Sequence, residues 1–565
     1  MKRVNCISGG IIILKIKQWP EDLTVLCPDR SDMHKSYFSG LYEDHIIGYE
    51  TDDVFYIYFP DGIHHSRSAL VVACPPDILP EVFLEESGLK DLADRQELYI
   101  VLFTAGKDPE VSGKKMNAVG NFLTKSVHYV IVRENIYGVG YGEGAAAALR
   151  AGAEDPELWS GIACAGKISG FTYKKQDDPC LLPIWIVSRE RNEETEKVIA
   201  YWKKENLCDT QRYSSDSADE IYLKDFYGTM GNSRNSECSA EVRFTVSSED
   251  YSAWTPRFWE FLRRTRKHLG LSRKDVRRVI ELKEHAQERS LEWKGWTRIW
   301  WEYIPKSLPE GKKVPLVILM HGRRQTPEVL FDLSRINDTA EERGFIVAVM
   351  SAGIFRQYPS GINNVSLWQG SYNGESCDNV GFLRAAINEM CVRLPVDRTR
   401  IYASGFSSGA CMAGTISEKL GDILAAVSCW SGLYWGTAAF RPEEMGDAEC
   451  YTDPDVSTPV QVIVGSCDIE FADVNGEFGL KEYMSEYINW RIEKGKLTGH
   501  GSYRSGNLKH DVFCNSQGIP VMDIILAEDM PHTVRPFESW LAYDEFFAKY
   551  TLADGIRYYM GIPMK

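Results

Sequence analysis
The sequence predicts two tandem α/β domains, each a doubly wound, mostly parallel sheet flanked by helices. At 565 residues the chain is too long for one hydrophobic core. Continuous apolar runs (LVVAC, LYIVLF, VHYVIV, PIWIV) alternate with helical patterns, as expected of strands buried on both faces and joined by crossover helices. The chain also repeats itself. Residues 136–167 align without a gap on 401–432, which sets Gly142 opposite Ser407.

The repeat continues upstream. Residues 81–106 lie opposite 328–353, sharing an opening Glu-Val, a middle Asp-x-Ala and a closing Ala-Gly; 68–76 face 314–322, and 55–62 face 300–307. Each half therefore reads as strand, turn, helix, strand, later strand, sharp turn, helix, strand. The expected division is a first domain over 1–255, a linker over 256–290 and a second domain over 291–565. The linker carries a dense Arg/Lys series with apolar residues at helical spacing, and is expected to be a solvated helical connector.

A net charge of −16 and a pI near 5.3 argue against nucleic-acid or anionic-membrane partners. No run approaches the roughly 18 apolar residues needed to span a bilayer. The start, MKRVNCISGGIIILKIKQW, is not followed by a small-residue cleavage site. The fourteen cysteines show neither CxxC pairs nor His/Cys metal spacing, so no metal is expected. Cys74, Cys164, Cys411 and Cys429 sit in apolar runs, as buried thiols of a reducing compartment would. A cytoplasmic location is expected.

Gly405-Phe406-Ser407-Ser408-Gly409 has the spacing of a nucleophile elbow, in which a strand (RIYAS) turns sharply into a small-residue helix. A serine hydroxyl is a weak nucleophile and needs a base oriented by a third group. In this architecture the acid and then the histidine follow the serine, each after a later strand. PVQVIVGSCD places Asp468 after one such strand, and PVMDIILAEDMPHT places His532 after the next. Glu470, Asp473, His500 and His510 are weaker rivals, lying deeper in loops or without a preceding strand. An oxyanion hole needs two backbone N–H groups. Ser408 is expected to supply one and Arg323, in the turn LMHGRRQ, the other; His321 reads as a structural loop histidine.

The ordered combination LVILMHGRRQ, RINDTAEERGFIVAVMSA, SLWQGSYNG, CDNVGF, DRTRIYASGFSSGACMAG, Gly-x-x-Asp at 465–468 and Pro-His-Thr at 531–533 resembles a known group. It is similar to the polyhydroxybutyrate-depolymerase and feruloyl and acetylxylan esterase branch of the α/β-hydrolases, over roughly 300–545. The sequence departs from that group at Gln369 and Asn379, where an asparagine and an aspartate are common. The resemblance implies an α/β-hydrolase fold for the second half, which the internal repeat extends to the first, and a serine carboxylic-ester hydrolase forming an acyl-enzyme on Ser407. The substrate would be a small or carbohydrate-linked ester of acetyl, feruloyl or hydroxyalkanoate type, with no cofactor. Asp378 reads as the N-cap of NVGFLRAAINEM. Trp368 and Tyr434, from the long aromatic loops 354–377 and 433–457, and Trp430, at the end of the strand LAAVSCW, are the candidate substrate contacts; the loop aromatics could equally pack as a lid.

The first half reads as a degenerate copy. Gly142 stands for Ser407, Ala253 for His532, Arg191 or Asn192 for the acid, and Pro75-Pro76 for the HG turn. GVGYGEG at 138–144 is not a dinucleotide fingerprint, because it occupies the elbow of a later unit. This half would support the second, contribute to a homo-oligomer, or narrow the cleft. Two other readings remain: a serine peptidase of the prolyl-oligopeptidase kind, and a non-catalytic binding or scaffold protein.

Overall fold
The computed structural model describes residues 14–18, 31, 38–46, 54–64, 66–125, 131–169, 180–213, 219–223, 240–268, 275–308, 311–356, 364–368, 377–433 and 456–565. The apolar runs form two large sheets. In the first, Arg67–Cys74 lies between Tyr99–Thr104 and Ile131–Gly142, followed outward by Ile162–Gly166, Ile184–Ser188 and Val242–Val246. In the second, Val314–Met320 lies between Ile346–Met350 and Val396–Phe406, followed by Ala426–Trp430, Val460–Gly465 and Pro520–Ala527. All these neighbours pair in parallel, with antiparallel strands added at the edges. The first half is thus an α/β sheet, not a propeller of short strands.

The duplication extends to backbone irregularities. The central strand slips register against the elbow strand between Arg67 and Ala69 in one sheet, and between Val314 and Leu316 in the other. Ala73 then pairs with Gly140 as Met320 pairs with Gly405. This pairing moves the expected match of the oxyanion turn by one residue. Pro75 corresponds to Gly322 and Pro76 to Arg323, so the position expected to donate in one half has no N–H in the other. Counted from the paired acid strands, Asn192 stands where Asp468 does. It caps the helix Glu193–Glu205, accepting from Thr195 N–H at 3.1 Å.

The segment expected as a helical linker is largely something else. Helix ends at Leu262 and packs Trp254, Phe258, Trp259 and Phe261 into the first half's core. Thr265–His268 and Asp275–Arg278 then form an antiparallel hairpin, and Gln287–Trp293 is already an edge strand of the second sheet. The basic residues are not all solvated, because successive strand side chains point to opposite faces and find partners there. Arg266, 5% exposed, reaches Asn135 Oδ1 at 2.7 Å in the first half and Asp332 Oδ2 at 3.1 Å in the second. Lys267 donates to the Leu158 carbonyl at 2.7 Å, and its burial lowers the ammonium pKa to about 8. The hairpin is therefore wedged against both halves.

Cys74, Cys164, Cys411 and Cys429 are buried, unpaired thiols. Among the described residues no helix is long and apolar enough to cross a membrane.

Candidate active site
The elbow is imposed by backbone crowding. Ser407 closes the strand Val396–Phe406 with φ 52° and ψ −115°, a conformation that costs a residue with a Cβ of order 1–3 kcal/mol. What holds it there is the approach of the next helix, Ser408–Lys419, to the central strand. A Cβ at Gly409 would come within 2.0 Å of the Met320 carbonyl oxygen, and one at Gly405 within 2.4 Å of Gly409 backbone. Ser407 N–H donates to the Trp430 carbonyl at 2.9 Å, and Ser407 O accepts from Cys411 N–H at 3.0 Å. The first half keeps this frame without the hydroxyl. Gly142 has φ 60°, and a Cβ at Gly144 would lie 2.1 Å from the Ala73 carbonyl.

The acid and the histidine meet because their two loops are tied together. Cys467 N–H donates to Met530 O at 3.0 Å and Asp529 N–H to Ser466 Oγ at 2.9 Å. Gly465 is required for that approach, since a Cβ there would stand 2.0 Å from Met530 O. Asp468, 1% exposed, then lies 2.8 Å from His532 Nδ1 through Oδ2. Its other oxygen accepts from the backbone N–H of Glu470 at 2.9 Å and of Phe471 at 3.2 Å. A carboxylate with those donors is a pure acceptor, so the proton of the imidazole sits on Nδ1 and Nε2 keeps its lone pair. The ring lies between Phe406 and Phe471, with centroids 4.8 and 5.6 Å away.

Three of the four rival groups are engaged elsewhere, while Glu470 lies beside the site and gives its backbone N–H to Asp468. His510 pairs with Asp523 at 3.1 Å and His500 with Asp511 at 3.4 Å on the strands at the sheet's far edge. Asp473 caps its own turn through Asn475 N–H at 2.9 Å.

Ser408 opens its helix, where a backbone N–H has no carbonyl four residues back to bond. Arg323 occupies the turn closed by Gln325 N–H to Gly322 O at 3.1 Å. His321 is fully buried and structural. Its Nε2 accepts from Ala352 N–H at 3.1 Å, so Nδ1–H donates to Gly322 O at 2.8 Å, and burial lowers its pKa to about 4.

The expected aromatic contacts fare differently. Trp430 is a correction: its side chain is 0% exposed in the second half's core, its Nε1–H donates to Ser428 Oγ at 3.0 Å, and its carbonyl steadies Ser407. It shapes the elbow and presents no face to a ligand. Trp368 is a second correction: it too is 0% exposed, packing in the second half's core beside His321 with centroids 5.8 Å apart, so it fills core rather than lining a pocket. Tyr434 lies outside the described residues. Asp378 caps its helix as expected, accepting from Gly381 N–H at 2.9 Å, a bond worth about 1 kcal/mol.

Two residues beside the site carry no signal in the sequence. Gln325 ends the stretch LMHGRRQ and belongs to no motif of its own. Glu538 is fully buried close to Asp468. Burial, with a smaller contribution from the Asp468 charge, pushes its carboxyl from 4.5 up to about 8. The folded protein therefore holds a proton here that the unfolded chain releases above about pH 4.5. Stability from this group is complete below that pH and is lost as pH rises through about 8. Glu538→Gln is expected to flatten the fall in the urea midpoint between pH 5 and 8, and a slope unchanged from wild type would refute this assignment.

Residues 302–472 match the model of the family described as Esterase PHB depolymerase. The second half is similar to this α/β-hydrolase esterase group. Feruloyl esterase B of Thermothelomyces thermophilus is 25% identical over 142 residues, covering 24% of this chain and 45% of the relative. The chain thus spans less than half the length of the curated relatives it matches. Among solved structures, the acetyl xylan esterase from Aspergillus awamori aligns at 16% identity and a TM-score of 0.34, over 46% of this chain and 99% of that one. A ferulic acid esterase from Anaeromyces mucronatus aligns at 12% and 0.29, over 45% and 86%.

Proposed function
We propose that the esterase-like half is a serine carboxylic-ester hydrolase with Ser407, Asp468 and His532 as its triad. The observation that carries this is the Asp468–His532 pair at 2.8 Å, its carboxylate pinned by two backbone donors, in a half whose elbow holds a serine at φ 52°. Ser407 Oγ attacks the ester carbonyl carbon while His532 Nε2 takes the hydroxyl proton, and Asp468 steadies the imidazolium. The charge on the carbonyl oxygen is met by the N–H groups of Ser408 and Arg323. Collapse of the tetrahedral intermediate breaks the bond to the alcohol oxygen, which takes the proton from His532. Water then attacks the acyl-Ser407 ester with His532 again as base, releasing the acid and restoring the serine. No step calls for a cofactor.

The first half is read as non-catalytic. The space over its elbow is filled, since a Cβ on Gly142 would meet the Tyr251 hydroxyl at 3.1 Å and Pro75 Cγ at 3.2 Å. The match over 302–472 and the similarity to feruloyl esterase B favour a small or carbohydrate-linked acetyl, feruloyl or hydroxyalkanoate ester as substrate. A fluorophosphonate probe tests the assignment. One adduct on the peptide carrying Ser407 is expected, along with turnover of p-nitrophenyl acetate. No adduct on folded protein would restore the scaffold reading, and faster cleavage of dipeptide amides than of esters the peptidase one. Acetyl, feruloyl and hydroxybutyryl esters run side by side then rank the acyl group.

A further inference from the structure
We propose that the first half positions the oxyanion turn of the second through Glu134, acting on Gln325. This rests on the serine-ester reading of the site. Gln325 grips Gly322 from both sides: its backbone N–H donates to Gly322 O at 3.1 Å, and its side-chain Oε1 accepts from Gly322 N–H at 3.1 Å. Gly322 O also accepts from His321 Nδ1–H at 2.8 Å. The carbonyl of Gly322 and the N–H of Arg323 belong to one planar peptide and point in opposite directions. Two donors on that carbonyl therefore fix where the Arg323 N–H points. The turn needs fixing, because Arg324 sits at φ 63°, where a residue with a Cβ is strained.

Gln325 is itself held by the other half. Its Nε2 donates to Glu134 Oε1 at 3.1 Å, across 191 residues of sequence. With its nitrogen on a carboxylate and its oxygen on a backbone N–H, the amide has one consistent orientation. Glu134 belongs to a short segment of the first half that docks here. Val132 lies within the second half's core cluster, and Asn135 Oδ1 accepts from Arg266. The strand Ile131–Gly142 therefore starts against the oxyanion turn of one half and ends at the serine-free elbow of the other. Glu134 touches no reacting atom, so it is a positioning residue.

The test measures kcat and KM for p-nitrophenyl acetate and amide hydrogen exchange over residues 320–326, in the full chain. Removal of one oxyanion donor costs roughly 10²–10³ in kcat, so misaiming one is expected to cost about tenfold. Glu134→Ala should lower kcat by that factor with KM within about twofold, and speed exchange in the turn. Glu134→Gln, which keeps an acceptor oxygen, should restore most of both. Glu134→Ala combined with Gln325→Ala should be no worse than Gln325→Ala alone. Asn135→Ala loosens the same segment without touching Gln325 and should leave kcat unchanged. An equal loss in Asn135→Ala would overturn the proposal in favour of general docking, as would wild-type kcat and exchange in Glu134→Ala. Should Glu134→Ala not fold, wild-type values in Gln325→Ala would overturn it equally. If the wild type turns over no ester and Ser407 takes no probe, the esterase reading fails by itself, and the exchange data still decide the link.

Discussion
Ser407→Ala should abolish ester hydrolysis and leave the fold intact. Removing the nucleophile of a serine hydrolase costs roughly 10⁵–10⁶ in kcat, with a small residue from binding and the oxyanion donors. The substitution takes one oxygen from a side chain whose backbone is fixed independently by the Trp430 carbonyl and the close approach of Gly409 to Met320. Ser407→Gly should be as inactive but more stable by about 1 kcal/mol, because the φ of 52° no longer strains a Cβ. Urea unfolding of the three proteins measures the difference. Undiminished turnover in the alanine variant would remove Ser407 from the mechanism, and equal midpoints would remove the strain.

Asp468→Asn should lower kcat by about 10⁴, the scale at which a triad loses its working tautomer. The backbone N–H groups of Glu470 and Phe471 both donate to one carboxylate oxygen, at 2.9 and 3.2 Å. The amide must keep its oxygen there, which turns its NH₂ toward His532 Nδ1. His532 can accept that hydrogen bond only with its proton on Nε2, the atom that has to receive the serine proton. Charge loss adds to this, since nothing then balances the imidazolium. KM should stay within about threefold, because Asp468 is buried away from substrate. A fall of less than tenfold in kcat would show that the Asp468–His532 contact is structural.

The parts of the site legible in the sequence are those carried by local pattern and chain order. Glycines at 405 and 409 can be read because backbone approach tolerates nothing else, and Asp468 and His532 because each follows an apolar run. The burial of Trp430 is not legible, because an aromatic at a strand's end looks the same whether it faces solvent or the next layer. The hairpin within 265–278 was hidden by its own arginines and lysines, which read as a solvated face until Asn135, Asp332 and Leu158, all distant in sequence, supply their partners. The link between Glu134 and Gln325 had no local signal for the same reason. The one-residue shift that brings Pro76 to the place of Arg323 is set by strand pairing, which an ungapped comparison of two strings does not register.

The crowded elbow of the first half also bears on what installing a nucleophile there would take. Gly142→Ser is the smallest change that would put a hydroxyl at this elbow, and the neighbours oppose it. A serine placed there would bring its Cβ to 3.1 Å from the Tyr251 hydroxyl and 3.2 Å from Pro75 Cγ, tighter than ordinary contact, with Asn192 where an acid is needed and Pro76 where an N–H is needed. Tyr251 and Pro75 pack over the elbow and Asn192 caps a helix, so reversing these would cost stability before it returned any chemistry. A hydroxyl at 142 by itself would therefore stand on a fitting backbone with no partner set around it.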